Sequence, residues 1–402
     1  MWRTTHPERQ PPSRGQTSLN PRPNRPERLE IAWVSPLPPA PSGVAEYSAR
    51  LAQALSARAT VEPIASPDPA SLGRYDACVY QIGNNALHRA AYRAALEVPG
   101  VTVLHDAVLH QFLLGELSQQ EYIAEFVYNY GEWLRDFAQE LWRERAHWAE
   151  RRYFDYPLIR RLVESSRAVI VHNPKARRLA IEAAGQGPGA PEVVEIPHFV
   201  ELPALPDEAG VAAVRQRLGV PGDTVLISCF GYLRPPKRLR SLFEAARQLP
   251  VPYRILLVGT FVSPEYEEAL ETYLQDPRVI RVPYVPDDEF WRLAAATDIC
   301  VNLRYPSAGE TSGVALKLMA LGKPVVVTSG EEVSHFPALA VVRVDAGPAE
   351  VEMLAHYLYA LASEPTMRRT IGQHAAGHIQ KHHALDAAAA KYLEVIRRAA
   401  GS

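Results

Sequence analysis

The stretch Asn302-Leu303-Arg304-Tyr305-Pro306-Ser307-Ala308-Gly309-Glu310-Thr311-Ser312-Gly313-Val314 runs into an apolar helical segment and then into Gly322-Lys323-Pro324-Val325-Val326-Val327. Ile299–Leu303 has the short β-branched character of a buried strand, Ser312–Leu321 the spacing of a helix, and Pro324–Ser329 the character of a second strand. A helix linking two strands closely spaced in sequence implies a parallel pair with a right-handed crossover. The loop between strand and helix is built from small residues. Its N–H groups and the positive end of the following helix favour an anion or sugar oxygens, and Glu310 can accept hydrogen bonds from vicinal hydroxyls. Gly309, Thr311, Ser312 and Gly313 complete this candidate binding turn. Helix capping is an equally open reading of Glu310 and Ser312.

The same rhythm extends in both directions. Upstream, Leu29–Ser35, Ala59–Ala65, Asp76–Ile82, Val101–Asp106, Ala168–Asn173 and Glu192–Pro197 alternate with helical stretches such as Ala45–Ala57. After a proline-rich, acidic linker at Leu202–Gly210 the series resumes with Thr224–Gly231, Tyr253–Gly259, Val279–Val285, then the two strands of the quoted unit, and finally Ala340–Asp345. Helices are expected at Leu239–Leu249, Glu265–Leu274 and Glu289–Ala296. Alternation of this kind predicts α/β architecture, and 402 residues divide naturally into two doubly wound, Rossmann-like parallel-sheet domains. The expected boundaries are 29–203 and 204–384, with a final helix over 385–402 that braces the two domains. Ligands of such sheets bind beyond the carboxyl ends of the strands.

Two segments break the pattern. Residues 1–28 hold six prolines and six arginines with almost nothing apolar, which predicts a disordered tail. Residues 116–167 are rich in aromatic and charged residues at spacings that fit long helices, a helical insertion in the first domain. Its aromatic stripe reads as core, with an acceptor-facing or membrane-facing surface as the alternative that Arg151, Arg152, Arg160 and Arg161 keep open.

Bulk properties narrow the function. A net charge of −2 gives no reason to expect nucleic acid. Cys78, Cys229 and Cys300 sit singly in strand-like runs, as core thiols of a cytoplasmic protein rather than metal ligands or disulfides. The sequence shows no membrane-spanning stretch, so membrane contact would be peripheral, at the inner face.

Three further strand ends carry candidate chemistry. The first strand leads through Pro41-Ser42-Gly43 into a helix, and Gly43 allows backbone N–H groups to approach an anion. There is no G-x-G-x-x-G and no P-loop. His105-Asp106 closes Val101–Leu104: the imidazole can hydrogen-bond a sugar hydroxyl and the carboxylate can fix its tautomer, or the pair can simply cap a helix. His88 and His110 are weaker candidates. In the second domain, Phe230-Gly231-Tyr232-Leu233-Arg234-Pro235-Pro236-Lys237-Arg238 gathers three cations on one proline-stiffened turn, suited to a diphosphate.

With these motifs in order, the chain from about 29 to 398 resembles the retaining GT-B glycosyltransferases of family 4. The resemblance rests on Ser42–Tyr47, Leu104-His105-Asp106, Ile196-Pro197-His198, Gly231–Lys237 and Gly309–Val327. It implies a donor site for a nucleoside-diphosphate hexose, UDP- or GDP-linked, used without a metal or other cofactor. By resemblance Gly43 approaches the phosphates, His105 contacts the transferred sugar, Lys237 with Arg234 or Arg238 binds the diphosphate, and Glu310 is the first glutamate of an E-x7-E pattern. The second glutamate is replaced by Leu318, with Lys317 beside it, and Tyr232 stands where many relatives carry arginine. The acceptor is not legible.

Overall fold

The computed structural model describes residues 28–401, so the tail expected over 1–28 lies outside the described residues except for Arg28. The first sheet consists of β1 (Glu30–Val34), β2 (Thr60–Ile64), β3 (Ala77–Ile82), β4 (Val101–Leu104), β5 (Ala168–Val171) and β6 (Glu192–Glu195), in spatial order β2-β1-β3-β4-β5-β6. The second consists of β7 (Val225–Phe230), β8 (Tyr253–Val258), β9 (Val279–Val282), β10 (Ile299–Asn302), β11 (Val325–Thr328) and β12 (Val342–Val344), ordered β12-β11-β10-β7-β8-β9. Every pairing is parallel. The expected strands are all present, most shorter at their ends, because the ladder stops where the chain turns toward a helix. Central strands such as Ala77–Ile82 and Val225–Phe230 are buried along their whole length. Helices cover both sheet faces, which explains their continuous apolar runs.

The two sheets present their carboxyl ends to a common cleft. Strand order reverses between β1 and β3 in the first sheet and between β10 and β7 in the second, so the turns after these strands stand at the crevices where side chains can meet a ligand.

The insertion differs from expectation. Instead of long helices it forms short ones, chiefly Gln119–Tyr130, Arg135–Arg143 and Arg160–Ser165, joined by 3-10 turns. Gly131, at φ 95°, stops the first of them because a left-handed residue cannot continue the helix. Tyr122, Phe126 and Tyr153 are fully buried and join the core beneath β3 and β5, so the aromatic stripe is core. Tyr128 and Trp133 are the exceptions, the latter 81% exposed. The expected helix over Glu265–Leu274 is likewise two short pieces, Pro264–Glu268 and Glu271–Leu274, and the linker ends early at a helix, Glu208–Arg217, capped by Asp207.

Helix Pro365–His382 packs on the second domain against Gly313–Ala320, then the chain crosses back. The final helix, Leu385–Gly401, buries Tyr392, Leu393 and Ile396 against Trp33, Tyr47 and Leu51 of the first domain. Each such side chain stabilises the docking by about 1.5–3 kcal/mol relative to exposure. At the crossing, His383 Nδ1 lies 2.6 Å from the His198 carbonyl and Val200 N–H donates to the His383 carbonyl at 2.9 Å, stitching the two interdomain strands of chain together.

Candidate functional site

After β7 the chain turns sharply at Gly231, φ 90°. Gly259, after β8, lies against it: a Cβ there would come within 2.2 Å of the Gly231 carbonyl oxygen, so only glycine fits. The 3-10 turn Pro235–Lys237 then directs the lysine back over the strand end, where Nζ donates to the Phe230 carbonyl at 2.6 Å. Lys237 is buried, and among the described residues no carboxylate pairs with it. Burial pushes its pKa down to about 8, with Arg304 and Arg234 adding to the effect. An ammonium held in this way gains most from an incoming anion, which would restore the favourable field it lacks.

Glu310 stands on the neighbouring turn of the same domain, after β10, the strand beside β7. Its Oε1 accepts from Arg234 at 2.8 Å and from Arg304, and Ser307 Oγ stands 3.4 Å from Oε2. Burial opposes ionisation, yet the two guanidiniums hold the carboxyl below its ordinary range. Arg304 also donates to Ser312 Oγ at 3.0 Å. Ser312 accepts from Ala315 N–H at 3.2 Å as the cap of helix Gly313–Ala320, so its capping role is realised, whereas Glu310 is an ion-pair centre and not a cap.

The first domain presses directly on this loop. Ala107 and Val108 N–H both donate to the Ala308 carbonyl, at 2.8 and 2.9 Å. Gly309 adopts φ 72°, and a Cβ on it would lie 3.0 Å from Ala107 Cβ. Asn173 caps helix Pro174–Ala184 with its oxygen and donates from Nδ2 to the Gly309 carbonyl and to Thr311 Oγ1, both at 2.9 Å. The sugar-loop candidate is thus completed by two first-domain strand ends.

Behind it lies a histidine cluster. His105 places Nε2 2.7 Å from Gln81 Oε1, and its ring centroid is 5.0 Å from those of Tyr47 and His172. The His198 ring lies tilted against Tyr47 with centroids 4.4 Å apart, and it is about 4 Å from where a Gly313 Cβ would be. Burial drives His105 well below its ordinary pKa, His172 down to about 4 and His198 to about 3, so all three are neutral near pH 7. Asp106 accepts from Asn84 N–H at 2.8 Å. Its carboxyl is raised, first by burial and then by Glu310, the reverse of the shift on Glu310 itself.

Of the residues expected at the site, His105, Asp106, His198, Arg234, Lys237, Gly309, Glu310, Thr311, Ser312 and Gly313 meet along this cleft. Gly43 opens its helix behind the Ser42 cap, and the neighbouring Pro41 carbonyl accepts from Tyr232 across the cleft at 2.7 Å. Arg238 departs from expectation: it sits at φ 57°, and its guanidinium bonds Glu350 at 2.9 Å, a buried carboxylate that takes it out of the converging set. His88 and His110 are buried with ring nitrogens 2.9 and 2.8 Å from backbone carbonyls, as structural residues. Leu318 is core, while Lys317 bonds Asp287 at 2.6 Å, and Asp287 also faces Arg50 of the first domain at 3.5 Å. Sequence reading missed Arg304, Asn173 and His172. Arg304 stands immediately after a predicted strand and His172 and Asn173 at the carboxyl end of one, and that position was the available signal. Among the described residues, no group of three or more His, Cys, Asp or Glu is arranged to hold a metal ion, and no helix is long and apolar enough to cross a membrane.

Two six-stranded parallel sheets with helices on both faces, meeting at their carboxyl ends, define the GT-B architecture. Residues 234–394 match the family model described as glycosyl transferase-like. A D-inositol 3-phosphate glycosyltransferase of Kineococcus radiotolerans is 29% identical over 182 residues, 42% of this chain and 41% of that protein, so the match spans about two fifths of the relative's length. Among solved structures, Anabaena HepE in complex with UDP and glucose superimposes with a TM-score of 0.65 at 17% identity, covering 92% of this chain and all of that one. Sucrose-phosphate synthase from Thermosynechococcus elongatus gives 0.66 at 17% identity, over 92% of this chain and 99% of the other. The chain therefore has the GT-B fold, and its second domain carries the glycosyl transferase-like match.

Proposed function

We propose that the protein is a retaining, family-4-like glycosyltransferase that moves a hexose from a UDP- or GDP-linked donor to an acceptor hydroxyl. One observation carries this reading: a buried ammonium at Lys237, which pairs with no carboxylate among the described residues, shares a cleft with the Arg234–Glu310–Arg304 cluster and the neutral His105 face. In the reaction the bond between the anomeric carbon and the diphosphate oxygen breaks, and a new bond to the acceptor oxygen forms on the same face. The acceptor proton passes to the departing diphosphate. Lys237 stabilises the charge that grows on that leaving group, and Glu310 and His105 orient sugar hydroxyls. The reading needs no metal, since protein cations meet the diphosphate, and it places the enzyme in the cytoplasm with at most peripheral contact with the membrane's inner face.

Sugar release from UDP- and GDP-hexoses, with and without candidate acceptors, tests the proposal. Lys237→Ala is expected to lower turnover on the order of 100-fold; undiminished turnover would remove Lys237 from the mechanism. The replacement of the second glutamate by core Leu318 favours one competing reading, a nucleotide-sugar binder without catalysis. Nucleotide-sugar binding in a thermal-shift screen with no sugar release under any condition would support that alternative.

A further inference from the structure

Beside the crevice at Lys237 lies a groove of about 850 Å³, between the helical insertion and helix Pro174–Ala184 on one side and the turns after β10 and β11 on the other. It is shared between the domains: Lys175 Nζ donates to the Ser307 carbonyl at 3.0 Å, and Arg178 pairs with Glu331 at 2.9 Å. Its inner end reaches the candidate reaction centre, because Arg304 and Ser307 line the groove and both contact Glu310. Glu332 forms a common wall between the groove and the small pocket that holds Glu310.

The charges of the lining are matched. Arg151 pairs with Asp155, Arg160 with Glu164, Lys175 with Glu332, Arg178 with Glu182 and Glu331, and Arg304 with Glu310. A phosphate or carboxylate entering here would meet cations already neutralised, whereas hydroxyl groups can donate to the carboxylates and accept from the guanidiniums without breaking any pair. Tyr130, Phe154, Ile159 and Leu179 interrupt the polar surface with apolar patches suited to the C–H faces of a sugar ring. The volume falls within the range of small-ligand sites.

We infer that this groove binds the acceptor, and that the acceptor segment it takes is a neutral, hydroxyl-rich glycan or glycoside rather than an anionic one. The inference rests on the transferase reading and adds the acceptor's class and place. Helix Pro174–Ala184 forms one wall, the turns Arg304–Ser307 and Ser329–Glu332 the other, and the reacting hydroxyl is presented at the Arg304–Glu310 end.

The test uses the full chain and a panel of methyl glucoside, maltose, cellobiose, glucose 6-phosphate and glucuronate. Ligand-observed NMR is expected to show binding of the neutral members over the two anions. Ala183→Trp, which fills the groove, is expected to abolish that binding and to lower the ratio of transfer to donor hydrolysis by at least about tenfold. Glu331→Lys, which changes the lining from balanced to a surplus of two positive charges, is expected to shift preference toward glucose 6-phosphate. Preference of the unaltered protein for the anions, or an unchanged ratio with retained glycan binding in Ala183→Trp, would overturn the assignment. Should the unaltered protein consume no nucleotide sugar, the transferase reading fails while glycan binding, and its loss in Ala183→Trp, still decides the groove.

Discussion

Lys237→Met should make the protein more stable and less active at the same time. The lysine is buried, its ammonium donates to one carbonyl oxygen, and burial lowers its pKa from 10.5 to about 8. Because the folded-state value is depressed, the unfolded chain holds the proton more tightly, and at pH 7 the fold bears a penalty of about 3 kcal/mol for the charge. Methionine has similar length and no charge, and it forfeits only the hydrogen bond to Phe230, worth about 1 kcal/mol. The substitution should therefore stabilise by about 2 kcal/mol at pH 7. Between pH 8 and 10.5 the wild-type ammonium loses its proton in the fold, its penalty disappears, and wild-type stability rises relative to the variant until the order reverses. Urea unfolding of both proteins at pH 7 and pH 10.5 measures the gap, and donor turnover measured alongside should fall on the order of 100-fold. A variant less stable than wild type at pH 7, or a gap that does not change with pH, would refute the picture of a cation held for a ligand at the expense of the fold.

Further outcomes follow from neighbouring contacts. Glu310→Gln leaves Arg234 and Arg304 facing each other without a carboxylate and should destabilise by about 3 kcal/mol; it also removes the negative charge that helps raise Asp106, so an NMR titration of the Asp106 carboxyl should move to lower pH, and an upward move would contradict the coupling. Gly309→Ala places a Cβ 3.0 Å from Ala107 at a left-handed backbone position, and should cost about 1–2 kcal/mol and loosen the domain contact, seen as a larger radius of gyration by solution scattering. Tyr232→Arg adds a cation at an exposed position of the cleft turn and should tighten binding of free UDP or GDP by roughly tenfold in calorimetry; weaker binding would show that the diphosphate does not pass Tyr232.

The twelve strands and the edges that carry chemistry were legible in the chain itself. Strands buried on both faces must be apolar and β-branched along their length, and helices between parallel strands must carry a 3.6-residue pattern, so period alone locates the carboxyl ends where Gly43, His105, Lys237 and Glu310 stand. The short helices of the insertion were less legible, since periodic aromatics say which face is buried but not where a residue such as Gly131 turns the chain.

Which cation meets which carboxylate was decided only by the tertiary structure. Arg234 and Arg238 sit on one turn and looked interchangeable, yet Arg234 bonds Glu310, 76 residues away, and Arg238 bonds Glu350, 112 residues away. Nothing local distinguishes them; sheet order places one carboxylate in the cleft and the other at the start of a helix beside the turn. Asn173 on the Gly309 loop and Tyr392 against Tyr47 arise in the same way, from segments 136 and 345 residues apart. Sequence set the periodicity of each segment, because backbone geometry and burial act over a few residues. The pairing of charges, the depressed pKa of Lys237 and the groove between the domains depend on which distant surfaces the packing brings together.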